Sequence, residues 1–183
     1  MDRTSRQFEQ AIASCRKVFS DKMKDYGSAW RILRATSLTD QIYIKANRIR
    51  SIQQKGINRV DEGIVPEFIG IVNYSAMALI QLQMDPDTNL ELPKGEALAR
   101  YDEAIDSARI LMEDKNHDYD EAWRNMRVSS MTDIILMKLI RIKQIEDRQS
   151  KTLVSEGVDA NYRDIINYAL FALIKLEEEK NKK

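Results

Sequence analysis

At 183 residues the chain is long enough for one generous core, or for two small units fused through an interface. Its 29 basic and 29 acidic residues cancel, which gives no strong nucleic-acid signal and no field suited to a membrane surface. The single cysteine, Cys15, allows no internal disulfide, and Met1-Asp2-Arg3-Thr4 lacks the apolar heart of a signal peptide. With no apolar run near the roughly 20 residues of a membrane helix, a cytoplasmic protein with no membrane partner is expected.

Hydrophobic periodicity predicts helices throughout. Phe8, Ala11, Ile12, Cys15 and Phe19 form the apolar stripe of a first helix, which starts near Thr4. A short helical or turn segment follows around Trp30. A second helix is expected to open at Ser37, with Asp40 three residues on as a variant capping box. A third starts near Pro66, a good first-turn proline. Residues 85–93, Asp-Pro-Asp-Thr-Asn-Leu-Glu-Leu-Pro, read as a linker. Beyond it the same order returns: a helix from Lys94-Gly95 with Tyr101, Ala104, Ile105, Ala108 and Met112, a segment around Trp123, a helix from Ser130 with Asp133, and one capped by Asp159. The charged tail from Glu177 is expected to fray.

The second half is a copy of the first, offset by about 93 residues. Asp25-Tyr26-Gly27-Ser28-Ala29-Trp30-Arg31 is matched by Asp118-Tyr119-Asp120-Glu121-Ala122-Trp123-Arg124, and Ser37-Leu38-Thr39-Asp40 by Ser130-Met131-Thr132-Asp133. Lys45 and Arg48 return as Lys138 and Arg141; Glu62 and Asn73-Tyr74 return as Glu156 and Asn167-Tyr168. The expectation is an all-α helical bundle of two pseudo-symmetric repeats, 1–84 and 94–183, with any site present twice or at the seam.

The chemistry starts from a lysine among apolar residues. Leu38, Ile42, Ile49 and Ile52 make one stripe, and Lys45 stands inside it; Met131, Ile135, Ile142 and Ile145 flank Lys138 in the same way. A core-facing lysine needs a carboxylate, a carbonyl or a bound phosphate, or else snorkels to a carboxylate on a neighbouring helix. At about 100° per residue, Arg48 lies about 60° from Lys45 and Asp40 about 80° beyond it, along one helix edge. On the last helix Asp164 and Asn167 share a face, and Glu156 extends that stripe upstream, a set suited to magnesium with substrate phosphate. The first copy keeps Glu62 and Asn73 but has Gly70 where the second has Asp164. Trp30 and Trp123 read as core anchors, with base stacking as the other use. His117 has no partner for zinc, and nothing in the chain forms a phosphate loop or a nucleophile elbow.

Lys22, Asp25, Tyr26 and Gly27, then Asp40, Arg48, Glu62 and Asn73-Tyr74, resemble the pattern of the family called nucleotide modification associated domain 1, and the second copy resembles it too. The chain departs from that pattern where Gln41 and Ile134 follow the aspartates, and where Pro66, Ala160 and Gly70 hold acidic positions. A wider likeness is to the all-α nucleoside triphosphate pyrophosphatases of the MazG type, which hold magnesium on helix-borne carboxylates. The resemblance implies a protein that binds nucleoside phosphates between helices, with Mg2+ as the cofactor. The ligand-binding set is then Asp25, Tyr26, Asp40, Lys45, Arg48, Asn73, Asp118, Tyr119, Asp133, Lys138, Arg141 and Asn167, and the metal set is Glu62, Glu156 and Asp164. The other two readings are a metal-dependent pyrophosphatase and a non-catalytic helical interaction module. Self-association is open.

Overall fold

A computed structural model describes residues 2–56, 63–84, 90–148 and 157–182. Within them the chain is all-α. Helices α1 (Arg3–Tyr26), α2 (Ala35–Lys55) and α3 (Val65–Gln83) are followed by α4 (Lys94–Tyr119), α5 (Val128–Asp147) and α6 (Val158–Lys180). A single 3-10 turn joins α1 to α2 (Ala29–Ile32) and α4 to α5 (Ala122–Asn125). Glu62, Glu156 and most of the linker lie outside the described residues.

Several helix starts differ from the sequence reading. Asp2, not Thr4, caps α1 by accepting from the Ser5 amide at 2.7 Å. The boxes expected at Ser37–Asp40 and Ser130–Asp133 do not form, because α2 and α5 begin two residues earlier, after Arg34 and Arg127. Their aspartates are drawn across the molecule instead. Gly157 precedes α6, leaving Asp159 inside the first turn, where it accepts from Arg163 at 2.8 Å. Pro66 does sit in the first turn of α3.

Helices α3 and α6 form the centre. Every residue from Ile71 to Ile80 is buried except Tyr74, and every residue from Ile165 to Ile174 except Tyr168. By length and composition α3 could cross a membrane, unlike the sequence reading of its apolar runs. Here neighbouring helices cover it: α2 and α6 most extensively, with α1 and α4 meeting it at Asn73. Likewise α6 is covered by α3, α5, α4 and α1.

Cross-pairs come in matched sets, the signature of a pseudo-twofold. Arg16 binds Asp102 at 2.7 Å while Arg109 binds Glu9 at 2.8 Å, joining α1 to α4 twice. Lys143 reaches Asp40 at 2.7 Å and Arg50 reaches Asp133 at 3.7 Å, joining α5 to α2 twice. Thr39 donates to Glu146 at 2.8 Å, and Gln53 to Thr132 at 3.1 Å. Arg124 ties the ends together: its Nη2 reaches Thr4 Oγ1 and Gln7 Oε1, its Nε meets Glu121 at 2.5 Å, and its carbonyl accepts from Lys175 at 2.7 Å. The tail is held rather than frayed, because Glu178 accepts from Arg3 and Gln7, each at 2.7 Å.

Two predictions test these end contacts. Asp120 and Glu121 hold left-handed conformations at φ 47° and 54°, where the first copy uses Gly27 at φ 57°. Asp120→Gly removes a Cβ clash and should raise stability by up to about 1 kcal/mol in a thermal melt. Glu178 titrates low, chiefly through the Gln7 hydrogen bond, with Arg124 and Arg3 adding to it. Burial alone would raise Glu121, but bonds from Thr4 and Arg124 hold it low as well. A carboxyl whose folded pKa lies below its unfolded one gives stability that is present at neutral pH and lost as pH falls. The melting temperature should therefore drop once pH goes below about 4.5, and Glu178→Gln should flatten that part of the profile.

Candidate functional site

Each half encloses a small pocket between the end of its first helix, its 3-10 turn and its last helix. The first holds about 360 Å³ and is walled by Phe19, Lys22, Met23, Tyr26, Trp30, Leu33, Tyr74 and Met77. The second holds about 350 Å³ and is walled by the equivalents Met112, Lys115, Asn116, Tyr119, Trp123, Met126, Tyr168 and Phe171. Such volumes fall at the small end of ligand sites. The pockets match because the helix ends match: Tyr26 and Tyr119 are the last residues of α1 and α4, both largely exposed. Tyr74 and Tyr168 are the one half-buried position in the otherwise buried runs Ile71 to Ile80 and Ile165 to Ile174.

The tryptophans are anchors. Trp123 is stacked on Phe171 with ring centres 4.3 Å apart, and the Arg124 guanidinium lies 4.3 Å over its ring. That leaves it no face for a ligand. The indole N–H groups of Trp30 and Trp123 are buried without a hydrogen-bond partner among the described residues.

The second pocket adds Asp164 and Asn167 to its wall, where the first has no counterpart. Lys115 from α4 reaches one oxygen of Asp164 and Lys138 from α5 the other, each at 2.6 Å. Asp164 is 4% exposed and Lys138 13%, so this pair is nearly dry, while Lys115 is 47% exposed and can reach a ligand. The core-facing Lys138 read from the sequence finds its carboxylate on the last helix. In the first half Lys45 and Arg48 share Glu67 instead, at 3.5 and 2.5 Å. Glu67 stands one turn before Gly70 and was missed, because the repeat puts Asn161 opposite it. A Cβ at Gly70 would come within 2.9 Å of Lys45 Cδ and Cε. The lysine stem thus runs through the space that a side chain at 70 would need. Its ammonium lies 5.6 Å from the Tyr74 ring centre.

The remaining expected ligand residues scatter. Tyr26, Tyr119 and Asn167 line pockets; Asp25 and Asp118 are exposed on the helix ends and line neither. Asp40 and Asp133 serve the α2–α5 seam, so they do not share an ionic edge with Lys45 and Lys138. Arg141 is exposed on α5, and Asn73 lies behind the first pocket, donating to the Cys15 carbonyl and accepting from Tyr101. Burial raises the Tyr168 phenol, with Asp164 nearby adding to the effect, so it stays a neutral donor at pH 7.

The fold and its sites define a tandem-repeat helical protein carrying two homologous, unequal pockets. Residues 22–82 and 115–176 each match the model of nucleotide modification associated domain 1 (DUF1599). Together these segments cover more than half the chain, which belongs to that family. No curated protein and no solved structure matches it.

The two carboxylate placements predict a rescue. Glu67→Gln leaves Lys45 and Arg48 without a counter-charge and should cost about 1–3 kcal/mol in urea unfolding. Adding Gly70→Asp, which needs only the flexible Lys45 stem to swing aside, should restore most of it.

Proposed function

We propose that this protein handles nucleotides by binding a nucleoside phosphate in its second-half pocket. The observation that carries this reading is the Lys115–Asp164–Lys138 triad set in the wall of an aromatic cavity. Two ammonium groups against one carboxylate leave a net positive charge in the cavity wall, and an anion is favoured there. The exposed Tyr119 and the half-buried Tyr168 offer flat surfaces for a base, while Lys115 turns toward phosphate. Family membership points to the same chemistry, since its description ties the domain to nucleotide modification.

Magnesium enters this reading with the ligand's own phosphates. Both oxygens of Asp164 are engaged by lysines, so a metal bonded to that carboxylate would have to displace two charges. Among the described residues no three His, Cys, Asp or Glu side chains group to hold a metal. The reading is therefore one of binding, and no hydrolytic step is assigned.

Thermal melts against nucleoside mono-, di- and triphosphates, with and without magnesium, test it. A ligand at about 100 times its Kd adds about 2.7 kcal/mol to stability. Lys115→Met should weaken the ligand about tenfold or more while the fold survives, and Lys22→Met in the first pocket should not. A flat response at millimolar ligand would sink the proposal in favour of an interaction module.

A further inference from the structure

The asparagines beside the two pockets, Asn73 and Asn167, are satisfied differently. Asn73 donates to the Cys15 carbonyl at 3.1 Å, and Asn167 donates to the equivalent Ala108 carbonyl at 2.8 Å. The amide oxygen of Asn73 accepts from the Tyr101 hydroxyl at 2.7 Å. The repeat places Phe8 where Tyr101 stands, and Phe8 has no hydroxyl to offer. Asn167 Oδ1 is accordingly buried with no hydrogen-bond partner among the described residues. Asn167 is 4% exposed and lies in the wall of its pocket, whereas Asn73 is absent from the wall of the first. The same wall holds the unpartnered N–H of Trp123, also in a side chain nine-tenths buried. One unpartnered acceptor and one unpartnered donor thus belong to side chains that line a single cavity. A buried polar group without a partner costs stability, which makes a ligand able to satisfy both strongly preferred.

We infer that the second pocket selects a heterocycle with a lactam edge, its ring N–H donated to Asn167 Oδ1 and its adjacent carbonyl accepting from Trp123 Nε1. The inference rests on the nucleotide-binding reading and names the base chemistry that this site takes. Both atoms are buried in the unliganded chain, so in this scheme the ligand meets them only once the two side chains turn toward the cavity. The first pocket cannot read the same edge, since Tyr101 has already taken the acceptor of Asn73. Asn167 is a specificity-determining residue in this scheme, and Phe8 is the permissive one: it withholds the hydroxyl that would plug the site.

The test is calorimetric binding of uridine and inosine monophosphates beside their N3-methyl and N1-methyl counterparts, which keep the phosphate and lose the N–H. The wild-type chain should bind the methylated forms about tenfold or more weakly. Phe8→Tyr should drop the parent nucleotides to the level of the methylated ones while raising the melting temperature of the unliganded protein. Tyr101→Phe should lower that temperature and leave second-pocket affinity unchanged. Equal binding of parent and methylated nucleotides, or a stabilised Phe8→Tyr with undiminished affinity, would overturn the inference and leave the binding reading standing. If no nucleotide binds the wild type, both fall. The methylated ligands need no variant, so misfolding of Phe8→Tyr would not blunt the result.

Discussion

The rest of the structure depends on covering two helices that are apolar almost all round. A helix with one apolar stripe can sit on a surface, but α3 and α6 bury nearly every side chain over their central turns. Each large apolar side chain removed from water contributes about 1.5–3 kcal/mol, so leaving either helix half-covered would be costly. One repeat offers only two further helices, too few to wrap its own last one. Packing α3 on α6, with α2 and α5 outside and α1 and α4 crossing to both, solves the problem for the two copies together. The matched ion pairs between α1 and α4 and between α2 and α5 then fix the register of one copy on the other.

The pockets follow from the same constraint. Tyr74 and Tyr168 break the burial of the central helices where α1 and α4 end, and a 3-10 turn arches over each gap. Duplication supplies two such gaps, and small changes separate them. In one copy the lysine of the second helix meets a glutamate a turn away, its stem lying over a glycine. In the other the carboxylate sits at the glycine's position, draws a second lysine from α4 and joins the cavity wall. A helical turn places residues three apart on one face, so a carboxylate can move by one turn and still reach the same lysine. What changes is whether it faces the pocket.

Some of this was plain in the residues. Helical periodicity, the offset copy and the lysines caught among Leu38, Ile42 and Ile49 or Met131, Ile135 and Ile142 all concern neighbours along one helix, where spacing is geometry. Glu67 escaped notice because its role lies in a contact between α2 and α3 that the aligned copy does not share. The aspartates at 40 and 133 look like caps by spacing, yet the cations that claim them belong to the other repeat. Phe8 against Tyr101 reads as an ordinary aromatic exchange until the asparagine behind each is in view.

The sequence by itself determined the helical class, the duplication and which positions are apolar, because backbone periodicity and side-chain hydrophobicity act over a few residues. Only the tertiary structure decided which copy covers which, which carboxylate each lysine meets, and which asparagine is left with an open acceptor. Those outcomes depend on atoms brought within hydrogen-bonding distance from 22 to 120 residues apart, such as Lys45 with Glu67 and Arg124 with Thr4. At that range, packing and the need to satisfy buried charge make the choice, and local spacing carries no record of it.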